Sequence, residues 1–216
     1  MPNGDYELII GDKRWSSWSL RSWLLMKAFS LPFSEVLIRL RQPDAASEIA
    51  RHSPSGKVPL LKAGSLLIWD SLAIAEFLAE EHPEKAIWPD TREKRAVARA
   101  VSAEMHSGFY SLRNQMPMDF LTVHASWPID DGVERDIRRI VAIWKDCRLQ
   151  HGVGGDFLFG AFSAADAMFA PVATRFRTYS VNLAKFGDDG SASRYAETLL
   201  ALPAMHAWGQ GAMQEM

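Results

Sequence analysis

The chain has 216 residues, of which 48% are hydrophobic and 23% charged, and its formal net charge at pH 7 is −2. It has no block of basic residues of the kind that nucleic-acid-binding proteins normally carry. No apolar run approaches bilayer length, and residues 1–10 lack the basic and apolar segments of a signal peptide. Cys147 is the only cysteine, which excludes an internal disulfide and a cysteine-built metal site. We therefore expect a cytoplasmic protein that binds neither nucleic acid nor membrane.

Strand and helix signals alternate along the first part of the chain in the order β-α-β-α-β-β-α. The patterns predict strands over residues 6–10, 33–38, 58–61 and 66–69, and helices over residues 19–29, 43–50 and 70–81. The pairs His82-Pro83 and Trp88-Pro89 then interrupt the pattern, because the residue before a proline favours extended or turn backbone. We therefore place a linker at residues 83–92, between one domain over residues 1–82 and another over residues 93–216.

Beyond the linker the sequence predicts helices and no strands. The helices are expected over residues 93–115, 130–151, 163–179, 192–200 and 203–213. The third of these has its own start signal, since Ser163 can cap it, Asp166 can bond back to the cap, and Phe162 can act as a hydrophobic staple. Cys147 falls in an amphipathic helix, where we interpret it as a buried small hydrophobe. The fold class is a mixed α/β domain followed by an all-helical one.

A group of serines marks the point where the first strand gives way to the first helix, in the segment WSSWSLR (residues 15–21). A hydroxyl at a helix start can cap the free N–H groups, and capping is the simplest interpretation of this segment taken alone. Three serines, however, exceed what one cap requires. Because a helix N-terminus also favours negative charge, a hydroxyl here is well placed to donate a hydrogen bond to an anion.

Two more motifs follow, SPSGKVPLL (residues 53–61) and WDSLAI (residues 69–74). Pro59 cannot donate to a strand ladder, so Val58 before it can present its backbone to an extended peptide; an ordinary edge-strand proline is the simpler alternative. Asp70 can simply cap the next helix. Alternatively, Asp70 and Ser71 together with the helix amides would hold the ammonium and carboxylate of an amino-acid head group.

The order and spacing of these motifs resemble the cytosolic glutathione S-transferases, the zeta class most closely. SSWSLR (residues 16–21) resembles the Ser-Ser-Cys-Ser-x-Arg motif of that class, and KVPLL (residues 57–61) with DSLAI (residues 70–74) is similar to the family's cis-proline strand and glutamyl-binding turn. SAAD (residues 163–166) resembles the family's helix-capping motif. The resemblance spans nearly the whole chain. It implies a thioredoxin-like N-terminal domain (βαβαββα with cis-proline), an all-helical C-terminal domain and a homodimer.

The resemblance also implies how the thiol of glutathione is activated. Ser16 would be the catalytic serine that donates to the sulfur, with Ser17 as the nearest competitor. The glutathione-binding residues would be Lys57, Val58, Pro59, Asp70, Ser71 and His52, although Lys57 and His52 could equally be a solvated loop lysine and a helix-end residue. A free thiol has a pKa near 8.5, and lowering it by about two units requires roughly 2.7 kcal/mol of preferential stabilisation of the thiolate. No metal or organic cofactor is expected, since glutathione is a co-substrate.

A second substrate would lie between the domains, against the first long helix of the helical domain. The candidate liners are Trp18, His106, Phe109, Tyr110, Arg113 and Arg175, and packing in the core or at the surface is the alternative for each of them. Trp18 stands where the zeta class has cysteine, and its large indole would reshape the acceptor pocket. We expect a glutathione S-transferase acting on small electrophiles. The alternatives are a glutathione-dependent isomerase of the maleylacetoacetate type and a non-catalytic interaction module with the same fold.

Overall fold

A four-stranded mixed sheet with three helices forms the first part of the structure, a computed structural model that describes residues 6–216. Residues 1–5, part of the segment compared with a signal peptide, lie outside the described residues. The strands are β1 (Tyr6–Gly11), β2 (Phe33–Ile38), β3 (Leu60–Ala63) and β4 (Leu66–Ile68), and the helices are α1 (Ser17–Ala28), α2 (Ala45–His52) and α3 (Ser71–Glu81). The strand order is β2-β1-β3-β4, with β1 parallel to β2 and antiparallel to β3. The Val58–Pro59 peptide bond is cis, and the predicted order of elements is confirmed.

The sheet separates two buried clusters of apolar side chains. Leu8 and Ile10 lie on one face of β1 and Ile9 on the other, because successive side chains of a strand alternate. On the first face the cluster includes Leu20 and Leu24 of α1 and Ile74 and Leu78 of α3. On the second face it includes Ile38, Ile49 and Leu60. Thus α1 and α3 share one face of the sheet, and α2 covers the other.

Helices make up the second part of the described chain. They are α4 (Arg92–Ser107), α5 (Tyr110–Gln115), α6 (Asp131–His151), α7 (Ala164–Thr178), α8 (Ser191–Leu200) and α9 (Pro203–Gln214). The predicted linker at residues 83–92 contains a short 3-10 turn, Pro83–Lys85, and ends where α4 begins. Across residues 6–216, no helix has both the length and the apolar character needed to cross a membrane.

The central helix of this part is α7, which is buried along almost all of its length and contacts α1, α4 and α8. Its start is fixed by the fully buried Asp166. One carboxylate oxygen accepts from the Leu158 N–H (3.1 Å) and the Tyr195 hydroxyl (2.9 Å), and the other from the Ser163 N–H (2.8 Å) and hydroxyl (3.0 Å). The predicted capping box of Ser163 and Asp166 is therefore confirmed.

The prediction of one helix over residues 93–115 is wrong, because the chain bends between α4 and α5. At the bend Phe109 has a left-handed backbone (φ 58°), and its ring is buried in the core. Gly108 allows the close turn, since a Cβ there would lie 2.8 Å from the Glu104 carbonyl oxygen. The bend also brings Arg113 back to α4, where its Nη1 donates to the His106 carbonyl oxygen at 3.1 Å. The other predicted elements begin and end within two residues of those observed.

Candidate active site

The start of α1 is tied to the end of β1 by serine hydroxyls. Ser16 is the N-cap: its Oγ accepts from the Ser19 N–H at 3.3 Å and donates to Ser19 Oγ at 2.7 Å. Ser19 Oγ in turn accepts from the Gly11 N–H at 3.0 Å. Ser17, in the first turn, accepts at its Oγ from Arg175 Nη2 at 3.3 Å, which links α1 to α7. The capping interpretation of this segment is therefore met by Ser16 alone, and Ser17 has a separate environment.

A cleft of about 630 Å³, here called the strand cleft, opens between the start of α1, the chain leading into β3 and the start of α3. It is lined by Trp15, Ser16, Ser17, Trp18, Leu40, Ile49, Ser55, Gly56, Lys57, Val58, Pro59, Trp69, Asp70 and His106. The three motifs that lie far apart in the sequence thus line one cavity. Val58 lies two residues before Leu60, where β3 begins, so its backbone is not part of the hydrogen-bonded strand ladder.

The start of α3 presents one paired and one unpaired polar side chain. Asp70 caps the helix by accepting the Leu72 N–H at 2.9 Å, and its other carboxylate oxygen lies 2.6 Å from His106 Nε2. Because a carboxylate only accepts, the His106 nitrogen is the donor in this bond. Ser71 is buried, and its Oγ has no hydrogen-bond partner among the described residues. The hydroxyls of Ser22 and Ser102 are also buried without a partner in the described part of the chain, so what distinguishes Ser71 is its place next to Asp70 at the wall of the strand cleft.

A second cleft of about 410 Å³, here called the arginine cleft, adjoins the first. It is lined by Trp15, Ser17, Trp18, His106, Tyr110, Arg113, Asn114, Pro117, Met118 and Arg175. Trp15, Ser17, Trp18 and His106 line both cavities. A ligand in either cleft would therefore contact the same wall of side chains.

Positive charge is concentrated behind this shared wall. The Arg21 guanidinium lies 4.2 Å from the Trp18 ring and that of Arg113 lies 5.4 Å from it. Arg175 is buried and donates to the carbonyl oxygens of Met116 (2.9 Å) and Pro171 (3.0 Å). Arg21 is only 3% exposed, and in residues 6–216 its Nε and Nη1 have no hydrogen-bond partner.

The pKa values of these groups reflect a shortage of counter-ions. Burial lowers the pKa of Arg21 to about 9, with further lowering by Arg175 and Arg113, while Asp70 opposes the shift. Burial and the charge of Arg113 lower the pKa of Arg175 to about 10. Burial also lowers the pKa of His106. The charge of Asp70 opposes this shift, and the guanidinium groups of Arg21 and Arg113 add to it. The arrangement therefore favours a bound anion over a cation.

Three residues predicted for the site, Phe109, His52 and Ser71, line neither cleft, and Ser71 is buried next to Asp70, which does line the strand cleft. Phe109 packs in the core, because the bend after α4 turns its ring inward. His52, at the end of α2, lies with its Nδ1 3.4 Å from Lys62 Nζ. Cys147 is buried, and burial raises the pKa of its thiol to about 12. Among residues 6–216, no group of three or more His, Cys, Asp or Glu side chains is placed to hold a metal ion.

Sequence reasoning assigned no role to Arg21 or Trp15. Arg21 lies in the buried part of α1, among apolar side chains, and a charged residue in such a position is a recognisable signal because charges are rarely buried unpaired. Trp15 is held between the guanidiniums of Arg14 (4.3 Å) and Arg41 (3.4 Å), and nothing local in the sequence indicates that contact.

The sheet order, the cis-proline before β3 and the following helical part define a thioredoxin-like domain joined to a helical domain. Two family models match the chain: the glutathione S-transferase N-terminal domain over residues 15–81 and the C-terminal domain over residues 98–208. The chain belongs to the glutathione S-transferase family.

Individual relatives agree with this assignment. Rat maleylacetoacetate isomerase is 26% identical over 190 residues, covering 87% of this chain and 84% of the relative. The probable maleylacetoacetate isomerase of Caenorhabditis elegans is 33% identical over 105 residues, and that match covers 49% of this chain and 48% of the relative. The crystal structure of a glutathione transferase homolog from Burkholderia GL BGR1, with bound glutathione, has a TM-score of 0.72, 22% identity and coverage of 97% of this chain and 99% of that chain. The predicted resemblance to the zeta, maleylacetoacetate isomerase-like class is confirmed.

Arg21→Met tests whether the buried guanidinium group makes the folded protein less stable than an apolar side chain at the same position would. We expect the free energy of unfolding to rise by about 1–3 kcal/mol, because replacing buried charges with apolar groups of similar size is often neutral or stabilising. Urea denaturation measures the change. Arg139→Met is the matched control, since Arg139 is half exposed and pairs with Glu104 at 2.7 Å, and an exposed pair contributes less than about 1 kcal/mol. A loss of stability in Arg21→Met larger than that of Arg139→Met would show that Arg21 supports the fold.

Proposed function

We propose that the protein is a serine-type glutathione transferase that binds glutathione in the strand cleft. The observation that carries the proposal is the meeting of three features in one cavity: the serines at the start of α1, the Val58 backbone and the acidic start of α3. The cavity volume of about 630 Å³ lies in the usual range for small-molecule sites. A fold relative crystallised with bound glutathione agrees with the proposal.

Each part of the tripeptide has a chemically matched partner in the cleft or, for Ser71, directly next to it. The γ-glutamyl ammonium would donate to Asp70, and its carboxylate would accept from Ser71 Oγ and the free N–H groups at the start of α3. The cysteinyl unit would pair with the Val58 backbone in the manner of an added strand. Lys57, which also lines the cleft, would attract the glycyl carboxylate.

The sulfur would then lie at the start of α1, where its anionic form is stabilised. Ser16 lines the strand cleft and not the arginine cleft, and the bond from its Oγ to Ser19 Oγ can reverse because both groups are hydroxyls. With Ser19 as donor, the Ser16 proton is free to bond the thiolate. The helix N-terminus adds a favourable partial positive charge. Together these terms match the roughly 2.7 kcal/mol needed to lower a thiol pKa by about two units.

Ser17 occupies a different position, because it lines both clefts and accepts from Arg175. Its hydroxyl therefore faces the side from which the second substrate would approach. We assign Ser16 to the sulfur and Ser17 to the boundary between the two substrates.

Ser16→Ala is expected to raise the pKa of the bound glutathione thiol by about one to two units, towards its free value near 8.5, because the charge-assisted hydrogen bond is lost. Ultraviolet titration of the thiolate measures the pKa. Ser16→Thr keeps both the hydroxyl and the helix cap, so it controls for the loss of capping and should retain a low pKa. Ser17→Ala should shift the pKa less. A shift in Ser17→Ala alone would transfer the role to Ser17, and no shift in either variant would refute a serine mechanism.

We further propose that the second substrate is an electrophile carrying a carboxylate, bound in the arginine cleft. Arg113 and Arg175 line this cleft, and Arg21 lies behind Trp18 with two guanidinium nitrogens, Nε and Nη1, that have no partner among the described residues. An anionic acceptor would relieve the mutual repulsion of these cations. Holding it beside the thiolate adds the proximity contribution to the rate.

The same cleft favours a second candidate activity, a cis-trans isomerisation of an unsaturated dicarboxylic acid, and relatives named maleylacetoacetate isomerase agree with it. The thiolate sulfur would add to one carbon of the carbon–carbon double bond. The π electrons of that bond would move onto the oxygen of a neighbouring carbonyl, which leaves a single bond between the two carbons. Rotation about the resulting single bond and expulsion of the thiolate would return glutathione and leave the trans isomer. Free glutathione recovered with an isomerised product supports this reaction, whereas a stable sulfur-linked product supports conjugation.

Arg113→Ala tests the charge preference of the acceptor site. We expect kcat/KM to fall about tenfold for a carboxylated electrophile and less than about twofold for an uncharged one, because only the former loses a charged hydrogen bond. Arg139→Ala, a half-exposed arginine outside both clefts, is the matched control. An equal fall with both acceptors would mean that Arg113 acts by supporting the bend after α4, where it bonds the His106 carbonyl.

The cytoplasmic location and the homodimer predicted from the sequence remain proposals.

A non-catalytic module is disfavoured because the three ligand-facing motifs line one open cavity. Retention on immobilised glutathione distinguishes an enzyme from a non-catalytic module, since a docking module has no need to bind glutathione.

A further inference from the structure

The loop between β1 and α1 carries the serines, and its backbone is held from the far end of the chain. The Lys13 N–H donates to Glu215 Oε2 at 2.7 Å, and the Lys13 carbonyl accepts from Trp208 Nε1 at 2.7 Å. Both backbone polar groups of Lys13, three residues before Ser16, are therefore bonded to α9 or to the residue that caps it.

The contact between α9 and this loop is close and mostly buried. A Cβ on Gly211 would lie 2.6 Å from the Lys13 side chain, so the helix and the loop approach through a glycine. Trp208 is fully buried and packs edge to face on Trp23 of α1, with ring centroids 5.1 Å apart. Lys13 Nζ lies 3.6 Å from Glu215 Oε1, and only 9% of the Glu215 side chain is exposed.

The next residue of the loop is held by the segment between α5 and α6. Arg14 donates from Nε and Nη2 to the two carboxylate oxygens of Asp119, at 2.8 and 2.9 Å. The Phe120 N–H donates to the Arg14 carbonyl at 3.0 Å. Phe120 also packs against α9, where a Cβ on Gly209 would lie 2.8 Å from its ring. Two segments of the helical domain thus bond to consecutive residues, Lys13 and Arg14, of the loop between β1 and α1.

We propose that α9 is a clamp that sets the position of the catalytic serine, with Trp208 and Glu215 as its positioning residues. The inference rests on the proposed role of Ser16. The loop turns directly from Lys13 into the cap, since the Ser16 N–H donates to the Asp12 carbonyl at 2.8 Å. A shift at Lys13 is therefore passed to the hydroxyl. The residues proposed to bind the rest of glutathione lie on other segments, before β3 and at the start of α3.

Because the clamp and the other proposed glutathione-binding residues lie on different segments, we expect the clamp to affect activation of the thiol and not the binding of glutathione. Loosening the clamp should raise the pKa of the bound thiol and lower kcat while the KM for glutathione stays nearly unchanged. A merely structural helix would lower the amount of folded protein and leave the pKa of the bound thiol as it was.

Trp208→Phe is the direct test, because it removes the N–H bonded to Lys13 and keeps an aromatic ring against Trp23. We expect the thiol pKa to rise by about 0.5–1 unit and kcat at neutral pH to fall about three- to tenfold, with KM for glutathione changed less than about twofold. Trp144→Phe is the matched control: Trp144 is also fully buried, and its Nε1 has no partner in the described part of the chain.

Glu215 gives an independent test if Trp208→Phe folds poorly. Glu215→Ala removes the acceptor of the Lys13 N–H and should shift the pKa and kcat in the same direction. Glu215→Gln keeps an acceptor oxygen, so it should restore most of the wild-type pKa.

Titrating Ser16→Ala alongside these variants distinguishes the possible failures. If Ser16→Ala shifts the pKa but Trp208→Phe matches Trp144→Phe, and Glu215→Ala matches wild type, the clamp is overturned and the proposed function stands. If Ser16→Ala leaves the pKa unchanged, the proposed role of Ser16 fails and the clamp fails with it; the serine mechanism itself fails only if Ser17→Ala leaves the pKa unchanged as well.

Discussion

The structure depends on how β1 is joined to α1. Ser16 caps the helix, Ser19 accepts the Ser16 hydroxyl, and the Gly11 N–H at the end of β1 donates to the same Ser19 oxygen. This short chain of bonds fixes the helix N-terminus, the site of partial positive charge, at the carboxyl end of the interior strand β1. An anionic sulfur brought to that point meets a hydroxyl and a favourable field together. In our proposal, every other part of the cleft serves to bring the sulfur there.

In the proposed function, Asp70 and the arginines are arranged to bind ligands at some cost in stability to the protein without them. Asp70 caps α3 with one oxygen and contacts His106 of α4 with the other, so one carboxylate joins the two structural parts. Arg113 and Arg175 line the arginine cleft and Arg21 lies behind Trp18, and burial lowers the pKa of each. Charges arranged in this way oppose folding unless an anion joins them. Such an arrangement is common where binding, rather than stability, determines the residue.

The sequence predicts what is determined locally. The order of strands and helices follows from short apolar patterns, and the capping box of Ser163 and Asp166 from four neighbouring residues. The bend after α4 is not predicted because the helical pattern continues through Gly108, and the break is evident only in the folded chain, from the left-handed backbone and the burial of Phe109.

Contacts between distant segments could not be predicted in this way. Ser17 and Arg175 are 158 residues apart, and Lys13 and Glu215 are 202 apart. Neither pair has a spacing that marks it, because both depend on how α7 and α9 pack on α1. The Arg21 charge was visible in the sequence, but its missing partners are a property of the folded neighbourhood.

The role of Ser16 can be checked in a crystal structure of the protein with glutathione bound, from the distance between the sulfur and each serine oxygen. We expect the sulfur within hydrogen-bonding distance of Ser16 Oγ, with Ser19 Oγ still bonded to Ser16. A sulfur bound in the strand cleft but out of hydrogen-bonding reach of Ser16 and Ser17 alike would contradict it.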